Sequence, residues 1–69
     1  MEKFGFGEAI SFMEIGEIVC LELDGKTRMY HMENGKVICN IKGSFVTYPV
    51  TKFYTDAVLS KDWCLYEKN

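Results

Sequence analysis

The chain has 69 residues, a formal net charge of −2 and a hydrophobic fraction of 48%. A chain this short holds one domain, spanning residues 1–69, and buries only about 60% of the surface its unfolded form exposes, so its core needs support from packing partners or oligomerisation. The hydrophobic fraction excludes a disordered chain, and seven of the eight basic residues are scattered lysines, which excludes a basic stripe for duplex nucleic acid. No run approaches the ~18 apolar residues that span a bilayer, and the first residues lack the apolar region of a secretory signal. The expectation is a soluble, cytoplasmic protein. Cys20, Cys39 and Cys64 lie far apart, without a CxxC pair. They read as small apolar residues in a reducing compartment, with no metal or other cofactor expected.

In chain order, residues 1–5 read as a loose lead-in. Gly7 to Ile15 follows as a short helix, with Ile10 and Met13 at i, i+3 and Glu8 in the first turn, where a carboxylate suits the helix dipole. Gly16 falls where a left-handed residue ends a helix. Glu17 to Leu23 is a β-type run, and Asp24-Gly25 is a strong hairpin signal. Thr27 to Glu33 returns as a second strand, Asn34-Gly35 turns the chain again, and Lys36 to Ile41 is a third. Phe45 to Tyr48 reads as a fourth strand ended by Pro49, which cannot donate to a ladder. Thr55 is placed to begin a single helical turn through Leu59, and Trp63 to Glu67 closes the domain as a strand. The expected fold class is α+β, a short N-terminal helix packed on a curved antiparallel meander of about five strands.

The strand faces carry a further expectation. Val19, Leu21 and Leu23 share one face while Ile18 and Cys20 fall on the other; Val37, Cys39 and Ile41 likewise oppose Ile38. A sheet with one wet face alternates more cleanly than this. One short helix cannot cover both faces, so a homo-oligomer, dimer or higher, is expected.

No catalytic arrangement is present. His31 is the only histidine and sits between Tyr30 and Met32 on a strand; Ser11, Ser44 and Ser60 lack a nucleophile context. Enzyme activity is not expected. Two features suit binding instead. Phe4-Gly5-Phe6-Gly7 leads into a helix N-terminus, where free N–H groups can hold a phosphate; the same residues also read as turn geometry with Phe6 as a hydrophobic staple, and Glu8 competes with an anion there. Arg28, the only arginine, sits on a strand beside Tyr30 and is the usual fork for phosphate, or else a surface ion pair. Phe45, Tyr48, Phe53, Tyr54 and Trp63 make the second half aromatic, as stacking surface for a base or as core.

Residues 6–10 read Phe-Gly-Glu-Ala-Ile, Gly16-Glu17-Ile18-Val19 follows, and the chain nears its end with Leu59-Ser60-Lys61-Asp62-Trp63 and then Cys64-Leu65-Tyr66-Glu67. In this order and spacing the phrases resemble the Thoeris anti-defence 2-like domain of phages and prophages. One departure is plain: many members carry a basic residue and then a tryptophan near the position of Asp24, where this chain has a turn. The resemblance implies a phage-encoded sponge, which binds a host immune second messenger, a cyclic or ADP-ribose-derived nucleotide, without turnover in pockets where subunits meet. Some relatives instead inhibit CRISPR nucleases, so a host defence protein is the alternative partner. By position the resemblance nominates Phe6, Gly7 and Asp62 for ligand binding; Arg28 and Tyr54 join them on chemical grounds, and Trp63 is assigned to the core.

Overall fold

The computed structural model describes residues 2–44 and 47–67. Helix α1 (Phe6–Glu14) precedes the strands β1 (Val19–Leu23), β2 (Lys26–Glu33), β3 (Lys36–Ile41) and β4 (Thr47–Val50), a five-residue helix α2 (Thr55–Leu59), and the two-residue strand β5 (Cys64–Leu65). The strands form one open antiparallel sheet in the order β4-β3-β2-β1-β5. This is an α+β fold, as the sequence predicts. Among the described residues no helix is long and apolar enough to cross a membrane.

Local chemistry explains most boundaries. At the end of α1 the Glu17 N–H donates to the Phe12 carbonyl at 3.0 Å and the Gly16 N–H to the Met13 carbonyl at 3.1 Å. That bond pair, with Gly16 at φ 95°, is a Schellman stop. Asp24 and Gly25 have φ of 53° and 74°, and Asn34 and Gly35 have 51° and 77°. Positive φ at both central residues is the type I′ turn, whose twist matches the strands it joins. It fixes the registers Leu23↔Lys26 and Glu33↔Lys36.

Two expectations need correction. Residues 1–5 are not all a loose lead-in. Phe4 pairs with Trp63, its N–H donating to the Trp63 carbonyl at 2.8 Å and its carbonyl accepting from the Trp63 N–H at 3.2 Å. Its ring is buried against Phe12, centroids 4.8 Å apart. Pro49 does not end the fourth strand but lies within it, opposite Ile38. An edge strand tolerates proline wherever no N–H is owed to the neighbour, and β4 is the sheet edge. Phe45, the expected start of that strand, lies outside the described residues.

Opposed residues on antiparallel strands share a face, so Val19, Tyr30, Cys39 and Tyr48 line up across one side, with Leu21, Arg28 and Ile41 beside them. Both helices, Phe4 and Trp63 cover that side, and the core comprises Phe4, Ala9, Met13, Val19, Leu21, Tyr30, Cys39, Ala57 and Trp63. Trp63 is fully buried, and its indole N–H donates to the Ala57 carbonyl at 2.9 Å, tying the chain before β5 to α2. The opposite face carries Cys20, Met29, His31, Ile38 and Cys64 in its ladder, and none of the described elements covers it.

Candidate functional site

Arg28 sits in the middle of the sheet, on its helix-covered face, between Leu21 of β1 and Ile41 of β3. Core positions there go to apolar side chains, and a partly buried cation needs compensation. Tyr30, two residues along β2 on the same face, supplies some, its phenol favouring the charged guanidinium. Tyr54, immediately before α2, supplies more: the guanidinium carbon lies 5.6 Å from its ring centroid, within cation–π range. The compensation is incomplete. Arg28 Nε is buried without a hydrogen-bond partner, and no carboxylate forms an ion pair with Arg28 among the described residues.

The titration behaviour of the neighbours follows from this packing. Burial works against the Arg28 charge, but in the alkaline range where the phenols ionise Tyr30 and then Tyr48 outweigh it and hold the guanidinium's pKa up. Burial pushes the Tyr30 phenol up to about 12; Cys39 adds to the rise and Arg28 opposes it. Tyr48 is also raised, chiefly by its hydrogen bond with Cys39 and then by burial. Both phenols are therefore neutral at pH 7. They offer hydroxyl groups around a positive centre but no negative charge to neutralise it.

Two clefts flank Arg28. One, of about 200 Å³, is lined by Arg28, Tyr30, Tyr48, Lys52, Phe53 and Tyr54. The other, of about 390 Å³, is lined by Leu23, Asp24, Arg28, Tyr54, Thr55 and Asp56. Arg28 and Tyr54 form the wall between them. The first side is cationic and rich in hydroxyl groups, and the second carries two carboxylates. An anion is attracted to the Lys52 side and repelled from the Asp24 side, while hydrogen-bond donors are favoured in the reverse sense. Tyr54 is 68% exposed, so an outer part of its ring remains open for stacking.

The five residues nominated from sequence separate in space. Arg28 and Tyr54 come together. Phe6 joins them indirectly: its ring packs on Phe53 at 4.9 Å and Trp63 at 5.8 Å, and Phe53 in turn packs on Tyr30 at 5.4 Å. Phe6 thus supports the floor of the site and stands inside α1, while Phe4 takes the position preceding the cap residue, Gly5. Gly7 lies elsewhere, in a shallow hollow with Glu8, Ser11, Phe12 and Ile15, and its carbonyl accepts a hydrogen bond from Ser11 Oγ at 3.2 Å. Asp62 is exposed, 3.6 Å from Lys3 Nζ, and its backbone N–H donates to Ser60 Oγ. It borders another hollow, on the side of Cys20 and Cys64.

Sequence reasoning missed Tyr48, Lys52 and Asp56 as neighbours of Arg28. The signal for Tyr48 was available, because opposing it to Cys39 across the sheet places it in line with Tyr30. His31 lies on the uncovered face, its Nε2 3.7 Å from Glu33 Oε1. No group of three or more metal-ligating side chains is gathered among the described residues. No protein-family model, curated protein or solved structure matches the chain.

Proposed function

We propose that this protein binds a small anionic nucleotide at Arg28 and holds it without turnover. The supporting observation is the partly buried Arg28, which lacks a carboxylate partner among the described residues and is stacked on an exposed tyrosine. A nucleotide meets the demands of both clefts. Its phosphate sits beside Arg28 and Lys52, its ribose hydroxyls or amino groups face Asp24 and Asp56, and its base stacks on Tyr54. No nucleophile, metal cluster or acid–base pair enters this scheme, so the role is stoichiometric capture. The resemblance to the Thoeris anti-defence 2-like domain supports reading the capture as directed, in an infected host's cytoplasm, against a cyclic or ADP-ribose-derived immune signal. In that family a tryptophan often falls near the position of Asp24; here Tyr54 is the aromatic surface beside that turn.

Oligomerisation belongs to the same proposal. Ile18 and Tyr66 stay exposed next to the uncovered sheet face, and a second subunit against that face would bury them. A second reading, direct inhibition of a host defence protein, is favoured by Ile15 and Leu59, which are 75% and 73% exposed. A thermal-shift screen against cyclic di- and trinucleotides and ADP-ribose derivatives separates the two, since a ligand of the folded state raises Tm by mass action. A rise for one class supports capture. A flat screen beside working controls overturns it and leaves the protein-contact reading.

A further inference from the structure

On the sheet face away from Arg28, Cys20 of β1 stands directly opposite Cys64 of β5. Both thiols are free, Cys20 buried and Cys64 half-exposed, and both border a hollow of about 510 Å³ that also takes in Lys42. The ladder fixes their separation. The Tyr66 N–H donates to the Ile18 carbonyl at 2.9 Å, so the pair Ile18–Tyr66 is hydrogen-bonded, and two residues along the ladder Cys20–Cys64 is of the same kind. Opposed Cα atoms at such positions lie about 5.5 Å apart, inside the span of roughly 4.4–6.8 Å that a disulfide bridges. The third cysteine cannot compete, because Cys39 is fully buried on the other face beneath the helices.

We propose that Cys20 and Cys64 are a reversible modification site, closed into an intrachain disulfide by exchange with a small-molecule disulfide such as oxidised glutathione. The more exposed Cys64 reacts first. Its thiolate attacks one sulfur of the small disulfide, forms a mixed disulfide and releases one small thiol. Cys20 then loses its proton, attacks Cys64 Sγ and expels the second small thiol. Two protein thiols and one small disulfide thus become one protein disulfide and two small thiols. Burial, and after it the neighbouring Cys64, push Cys20 up to about 11, while Lys42 pulls the other way; the second step is therefore the slower one. The product clamps β5, a strand of only two residues, onto β1.

The test is to incubate the folded protein with oxidised glutathione, quench with acid, and measure intact mass and tryptic peptides. Trypsin places the three cysteines on separate peptides, 4–26, 37–42 and 62–68. The expected product has lost two hydrogens, keeps one alkylatable thiol, joins peptide 4–26 to peptide 62–68, and melts roughly 10 °C higher than the reduced form. Cys20→Ser is expected to stop at glutathione on Cys64. Three thiols remaining free, a lasting glutathione adduct on the wild type, or a crosslink through peptide 37–42 or between chains would overturn the proposal. If Cys20→Ser does not fold, the wild-type peptide map alone decides.

Discussion

Arg28 is a costly residue to keep where it is. A cation set among Leu21, Ile41 and three tyrosines loses hydration that cation–π contact and one phenol replace only in part. Arg28→Ala is therefore expected to change stability by less than about 1 kcal/mol in either direction, while removing the thermal shift produced by an anionic nucleotide. Tyr54→Ala should weaken binding by about 1–3 kcal/mol, the usual worth of one base stacked on an aromatic ring. Trp63 gives the contrast. Its side chain is fully buried and hydrogen-bonded to Ala57, so Trp63→Ala should cost about 3–5 kcal/mol in a denaturant titration without bearing on ligand specificity. At this scale the sequence revealed chemistry better than place. Arg28 stood out as the one arginine, and Tyr54 as an aromatic ahead of a helical turn. Phe6, Gly7 and Asp62 were grouped by phrases at the two ends of the chain. The fold brings those ends together at the Phe4–Trp63 bridge, where Phe6 packs beneath the Arg28 site while Gly7 and Asp62 border other hollows.

Among the elements, those bounded by stereochemistry were the most legible. Asp24-Gly25 and Asn34-Gly35 need positive φ at both positions, and few residue pairs other than these adopt it readily. Gly16 closes α1 for the same reason, and Gly16→Ala should cost about 1 kcal/mol of stability by thermal denaturation, because φ there is 95°. Elements set by distant partners were harder to read. Nothing local to Phe4 announces that Trp63, far along the chain, will pair with it. The role of Pro49 depends on whether its strand is central or at an edge, which only the sheet order decides.

At the scale of the whole molecule, one face of the sheet carries the core and the Arg28 site, and the other carries the thiol pair, uncovered by any of the described elements. The buried phenol and thiol bind stability to pH. Tyr30 rises from 10.0 to about 12 and Cys20 from 9.0 to about 11 on folding. Both keep their protons in the folded state at pH values where the unfolded chain has lost them. Their contribution is complete below pH 9.0 and falls away as pH rises, through about 11 for Cys20 and about 12 for Tyr30. With reductant present, Tm should decline across this alkaline range, and Cys20→Ser should delay the onset of the decline. The most direct measurement of the binding role is a calorimetric titration of wild type and Arg28→Ala with an ADP-ribose derivative and a cyclic dinucleotide. Ligand recovered afterwards would be checked for chemical change. Saturable binding to the wild type alone, with the ligand recovered intact, is the predicted result; equal heats from both proteins, no heat from either, or a converted ligand would contradict it.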